Sequence, residues 1–244
     1  MSNYSLTYKP FGKSAILVEW PAEMSESVLE DILSFQQIIQ ASNSDGIIEI
    51  IQSIHSLTIV YNSDLWTFGE LKNWLEKYYF EAYKKQIRLN FLWKIPVCYH
   101  LSFGLDFQEI TRKNSLSIQE IIEIHSQTTY QIYSIGFLPG FLYLGGLNQR
   151  LYIDRKANPR LATPKGSVGI GGKQTGIYPT ESSGGWQIIG NTPISLFDVK
   201  SNPPCFAKAG DKVQFIPISK GEHEQITKLV STKSYQIKKE VLNG

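Results

Sequence analysis

Between residues 136 and 190 the chain sets six cations, Arg150, Arg155, Lys156, Arg160, Lys165 and Lys173, against two carboxylates, Asp154 and Glu181. The same stretch holds twelve of the 19 glycines, residues that let the backbone turn with positive φ or approach a ligand closely. Cationic side chains beside accessible backbone N–H groups suit a carboxylate or phosphate ligand; a solvated basic face is the plainer alternative. Several familiar chemistries fail on spacing. In GSVGIGGK (166 to 173) Ser167 stands where a P-loop needs its first glycine. A dinucleotide fingerprint begun at Gly169 meets Gln174 where glycine is required, and a nucleophile elbow around Ser167 meets Lys165. His55, His100, His125 and His223 have no i, i+4 partner and Cys98 lies far from Cys205, so the spacing predicts no metal site. A Ser-His-Asp triad would be joined only in space, and no local sign supports one.

These residues need strands and turns to present them. YQIYSI (130 to 135), SVGI (167 to 170), WQIIG (186 to 190) and KVQFIPI (212 to 218) are short β-prone runs. Such runs separated by glycine-rich turns predict a closed or nearly closed β-barrel. Two helical stretches precede it between 105 and 126, the second opened by a capping box of Ser117 and Glu120; a charged helix is predicted over 221 to 240. His125 reads as a helix-end residue near the C-terminal dipole rather than a base. Phe137, Phe141, Tyr143, Tyr178 and Trp186 could line a pocket or an interface, and barrel packing accounts for them equally well.

Ahead of the barrel, SAILVE (14 to 19), IIEII (47 to 51), LTIVY (57 to 61) and RLNFLW (88 to 93) read as strands. One helix is expected behind Ser27 and Glu30, with Val28, Leu29, Ile32, Phe35 and Ile39 on its apolar face. A second follows Thr67 and Glu70, with Leu71, Trp74, Leu75, Tyr78 and Ala82. The interleaving predicts an α+β fold: a ferredoxin-like domain over 1 to 92, then a β-barrel domain over 93 to 244 with a terminal helix. His55 is expected in a turn, and Trp74, Tyr78 and Tyr79 in a core or docking face.

At 244 residues, 42% hydrophobic and 19% charged, the chain can bury two cores. A formal charge of +2 is too small to imply a nucleic-acid or membrane partner. No stretch reaches the ~18 apolar residues of a membrane span and no secretory leader opens the chain, so a soluble, cytoplasmic protein with reduced thiols is expected.

IGFLPGFLYLGGL (135 to 147), NPRLATPKGSVGIGGKQTGIYPTESSGGWQIIGNTP (158 to 193) and LFD (196 to 198) closely resemble the signature of the KipI-like family, also called allophanate hydrolase subunit 1 or the 5-oxoprolinase B subunit. IPVCY (95 to 99) and GKSAILVE (12 to 19) extend the resemblance over almost the whole chain. Asn191 stands where the family commonly has arginine, Ser183 where it has proline and Lys165 where it has alanine. The resemblance implies a ferredoxin-like domain followed by a cyclophilin-like barrel. It also implies a B subunit, inactive alone, that opens 5-oxoproline to glutamate with ATP and magnesium beside two partner subunits, one KipA-like (C) and one LamB/YcsF-like (A). Within the matched run, Arg160 and Lys165 are expected to bind anions, and Gln174 and Thr175 to orient a carbonyl or phosphoryl oxygen, with Arg160, Gln174 and Thr175 as the catalytic group. Gly166, Ser167, Gly171 and Tyr178 join Lys165 as substrate- or nucleotide-binding residues. Polar turn residues that merely satisfy backbone groups are the alternative for Gln174 and Thr175. Two other roles fit the family: an inhibitor of a sensor histidine kinase, and half of a biotin-dependent carboxyltransferase acting on urea-like amides.

Overall fold

A computed structural model describes residues 4–81 and 88–242, which divide into two compact units meeting at Arg88 and Leu89. The first unit begins with a hairpin, β1 (Thr7–Pro10) and β2 (Ala15–Glu19), turning at Gly12, whose φ of +67° asks for a residue without Cβ. It continues through α1 (Glu26–Ala41), β3 (Ile47–Gln52), β4 (Ser56–Tyr61) and α2 (Phe68–Glu81). The strands form one antiparallel sheet in the order β1-β2-β4-β3. Ile16, Val18, Leu57 and Ile59 meet Val28, Ile32 and Phe35 of α1 and Leu71 and Leu75 of α2 in its core. Buried Asp31 accepts from Trp20 Nε1 (2.7 Å) and Tyr79 Oη (2.5 Å), so Tyr79 is a core residue, while Trp74 and Tyr78 stack half-buried at 4.1 Å. His55 lies half-buried between β3 and β4.

Two expectations shift here. Ser25, not Ser27, caps α1, because its side chain is the one that accepts from the Val28 N–H. The run 88 to 93 does not end this domain: it opens one continuous barrel strand, β5 (Asn90–Cys98), so the division falls ahead of the expected 92/93 boundary. The Thr67–Glu70 box is present, and Ala82 lies outside the described residues.

The second unit runs from β5 through α3 (Phe107–Asn114), α4 (Ile118–Gln127), β6 (Thr129–Ile135), β7 (Leu142–Gly145), a 3₁₀ turn (Gln149–Leu151), β8 (Arg160–Thr163), β9 (Ser167–Gly171), β10 (Gln174–Ile177), β11 (Ser182–Gly184), β12 (Gln187–Asn191), β13 (Lys212–Ile218), α5 (Lys220–Ser231) and β14 (Lys238–Leu242). Seven strands close into a barrel in the order β12-β9-β10-β7-β6-β13-β5, sealed by the pair Asn191 and Cys98. β13 lies parallel to β5, and β14 adds antiparallel along its other flank. β8 and β11 make a separate two-stranded ribbon. Ile95, Val97, Ile132, Leu144, Val168, Ile170, Val213 and Phe215 fill the bore.

The terminal helix expected over 221 to 240 stops at Ser231. Lys233 takes a left-handed φ of +55°, and the N–H groups of Ser234 and Tyr235 turn back onto the Leu229 carbonyl. The charged run beyond becomes an edge strand, where solvent-facing lysines are at home.

Candidate functional site

The outer face of β9 and β10 is paved with glycine. A Cβ at Gly171 would stand 2.7 Å from Cε2 and Nε1 of the Trp186 indole, and one at Gly176 would stand 2.9 Å from its Cζ3. Glycines are therefore what allow Trp186 to lie against the strands. Phe141 meets Trp186 edge-on at 5.5 Å and Tyr178 edge-on at 5.3 Å, and Tyr143 packs against Phe141 at 4.8 Å. With Phe137, Pro159 and residues 183–185 at the end of β11, these rings wall a cleft of about 200 Å³. Phe137 stands at its edge in a left-handed conformation (φ +67°) and is 64% exposed.

Cations supply the polar side. The Arg155 guanidinium sits 5.5 Å from the Trp186 ring centroid and has no carboxylate partner among the described residues, so its charge is available to a ligand. Lys156 also lines the cleft; its Nζ lies 2.8 Å from Asp106 Oδ1, and its backbone N–H donates to Gly185 O at 2.6 Å. Arg160 lies opposite Gly184 in the ribbon and donates from Nη2 to the same Asp106 oxygen at 2.6 Å. Its Nη1 is buried without a partner, a donor left over for a ligand oxygen.

Asp106 stands one residue before α3 and is 4% exposed. Burial opposes its ionisation, but hydrogen bonds from Arg160, Lys156 and the Ile188 N–H (2.6 Å) outweigh it and hold the carboxyl below its ordinary range. The Asp106 N–H in turn donates to Ile188 O at 2.9 Å, so this residue grips the edge of β12 at two points. Burial pushes the Tyr178 phenol up against the pull of a Trp186 backbone hydrogen bond and Arg155, keeping it a neutral donor. Rings that offer a flat apolar wall, with Arg155 unpaired among the described residues and two further cations on Asp106, have the chemistry that a small anion requires.

Residues 6–207 match the family model described as "Carboxyltransferase domain, subdomain C and D". The chain belongs to that family. Within the carboxyltransferase subdomain C and D family it is 37% identical over 225 residues to the 5-oxoprolinase B subunit of Bacillus subtilis, covering 87% of this chain and 92% of the relative. Among solved structures, TTHA0988 superposes with a TM-score of 0.74 at 25% identity, covering 84% of this chain; the chain spans 40% of that one. The urea amidolyase of K. lactis shares the fold, with a TM-score of 0.84 at 22% identity over 97% of this chain and 16% of its own.

The residues singled out by sequence separate in space. Tyr178 lines the cleft, Gly171 seats its tryptophan, and Arg160 stands behind it on Asp106. Gln174 pairs with Gly171 and, by strand alternation, shares the outer face with Gly176; its Nε2 is buried without a partner, although the side chain does not line the cleft. Thr175 faces the other way. It is fully buried in the bore, where its hydroxyl donates to Gly169 O and meets His125 Nε2 at 2.9 Å, so it is not free to orient a substrate oxygen. Lys165 is exposed and borders a different hollow with Ile194, Leu196 and Asp198. Gly166 (φ +79°) and Ser167 are turn and strand residues joined by backbone bonds to Thr192 and Tyr178. Sequence reasoning missed Asp106, and it counted Arg155 and Lys156 only as charge. No local signal ties a carboxylate at 106 to cations at 156 and 160. Among the described residues no three His, Cys, Asp or Glu side chains are grouped to hold a metal.

Proposed function

We propose that the protein is the B subunit of an ATP-dependent 5-oxoprolinase, which opens 5-oxoproline to glutamate. The observation that carries this reading is the near full-length similarity to the 5-oxoprolinase B subunit of B. subtilis. The cleft is of a kind to suit the substrate: a small ring carrying one carboxylate fits an aromatic-walled space of about 200 Å³ bordered by Arg155 and Lys156.

A lactam resists water because amide resonance spreads its electrons onto oxygen. In this reading the lactam oxygen takes the terminal phosphoryl group of ATP as ADP leaves. One water then adds to the activated carbon and the C–N bond opens to an amine; a second releases phosphate and leaves glutamate. The chain's own contribution is positional and electrostatic. Arg155 neutralises the carboxylate, the rings exclude water from one face, and the spare Arg160 Nη1 donates to an oxygen that gains charge. Tyr178 adds a neutral donor from the cleft wall, and Gln174, off the cleft on β10, keeps an unpartnered Nε2.

The same reading brings two partner subunits, one KipA-like (C) and one LamB/YcsF-like (A), a cytoplasmic site of action and no activity from this chain alone. Magnesium would travel with the nucleotide, held largely by its phosphates. It also treats the first unit as a ferredoxin-like variant, with β1 in the place of the usual last strand, and the barrel as cyclophilin-like. Co-expression with the two partners, followed by an assay for ATP-dependent glutamate release from 5-oxoproline, tests it. Turnover that needs all three chains supports the reading; an intact three-chain complex without turnover sinks it.

A further inference from the structure

His125 is fully buried in the bore, stacked on Phe215 at 4.6 Å and 14°, and both ring nitrogens are engaged. Tyr99 Oη lies 2.7 Å from Nδ1 and Thr175 Oγ1 lies 2.9 Å from Nε2. Counting protons orders the chain. The Thr175 hydroxyl has one hydrogen and donates it to Gly169 O at 3.1 Å, so towards His125 it accepts and Nε2 carries the N–H. Burial lowers the imidazole pKa to about 3, so the ring is neutral at ordinary pH; Nδ1 is bare and accepts from Tyr99. In this tautomer the chain runs from Tyr99 to His125, from His125 to Thr175 and from Thr175 to Gly169.

The far end of this chain reaches the cleft wall from behind. Gly169 takes the last hydrogen bond on its carbonyl, while a Cβ on the same residue would stand 3.2 Å from Trp186 Cβ. Thr175 directly precedes Gly176, which abuts the same indole. Two backbone points under Trp186 are thus tied to one buried hydroxyl. We propose that Tyr99, His125 and Thr175 form a positioning chain that holds the glycine-paved wall in register beneath Trp186 and so sets how tightly the cleft binds its ligand, without touching that ligand.

The test replaces the hydroxyl with a methyl group of the same shape, Thr175→Val. Its readout in the full chain is the ¹⁹F resonance of 5-fluorotryptophan at position 186, identified by its loss in Trp186→Phe. The expected results are a shifted or broadened resonance in Thr175→Val, the parental resonance in Thr175→Ser, and no change in Ile16→Val, which thins the core of the first unit. The kinetic arm alone rests on the oxoprolinase reading. In the assembled complex, KM for 5-oxoproline should rise about fivefold in Thr175→Val, the scale of one net hydrogen bond, while kcat stays close to the parent. An unmoved Trp186 resonance in Thr175→Val, an equal shift in Ile16→Val, or a loss of kcat at unchanged KM overturns the proposal. A parental complex that turns over no 5-oxoproline refutes the oxoprolinase reading and leaves the fluorine result to decide this one.

Discussion

Asn191 donates its side-chain N–H to the backbone carbonyl of Lys165 at 2.8 Å and holds His223 Nε2 at 2.9 Å with its Oδ1. Positions 165 and 191 are therefore neighbours bonded through the backbone of one and the side chain of the other. The link does not use the lysine side chain. Lys165→Ala should leave stability within about 0.5 kcal/mol of the parent and leave assembled turnover intact. Asn191→Ala, which strands the part-buried Lys165 carbonyl, should cost about 1 kcal/mol. Urea denaturation of both variants checks the contrast, and a turnover defect in Lys165→Ala would return that lysine to the substrate site.

Asp106 is the most sensitive polar position of the cleft. Removing it leaves Lys156 and Arg160, each with a side chain only about a quarter exposed, without their shared acceptor. Asp106→Ala should cost about 3 kcal/mol, the lower end for breaking a buried ion pair because both partners retain some solvent. Its folded pKa is depressed, so its stabilising effect is complete above the unfolded value of about 3.9 and is lost as pH falls through the lower folded value. Acid unfolding in the parent should show this loss, and Asp106→Asn should remove it.

Gly171→Ala tests the seating of Trp186 by pure bulk, because Gly171 has no positive φ to strain. The added methyl group must displace the indole. We expect a cost of about 1–3 kcal/mol and weaker ligand binding, read by thermal unfolding and by KM in the assembled complex. Gly172→Ala, next in sequence, has open space around its Cβ but a φ of +65° and should cost only about 1 kcal/mol, with KM unchanged.

His125 predicts a pH slope. The ordinary value of 6.5 falls to about 3 in the folded protein because burial disfavours the charged ring. The unfolded chain therefore takes up the proton first. Stability contributed by neutral His125 is complete above 6.5 and is lost progressively as pH falls from there towards 3. A series of Tm against pH should fall across this window in the parent, and His125→Gln, although less stable at neutral pH, should show a shallower fall. Equal slopes in the two proteins would mean that the imidazole is not buried neutral.

What could be read from sequence was what the chain decides locally. The boxes at Thr67–Glu70 and Ser117–Glu120 lie within single turns, and KVQFIPI forms the strand 212–218 as its β-branched pattern implies. The glycine cluster pointed to a close approach, and the structure supplies it as Trp186. Features that depend on distant partners stayed hidden. Nothing near Asp106 announces Lys156, Arg160 and Ile188, and β14 reads as helix until β5 offers it an edge. Thr175 was misassigned because a polar residue beside glycines looks the same whether it faces the bore or the solvent; the β10 register decides it.

The grip of Asp106 on both backbone groups of Ile188 makes it a substitute for a strand residue where β5 and β12 pair at Cys98 and Asn191. The barrel thus has a seam, fastened by the carboxylate that also anchors two cations of the cleft. An anion that draws Lys156 and Arg160 towards itself leaves the seam fastened by Ile188 alone, and by reciprocity a chain that opens the seam frees those cations. An anion bound in the cleft should therefore change the amide-exchange rate of Ile188, which hydrogen exchange with and without 5-oxoproline would read.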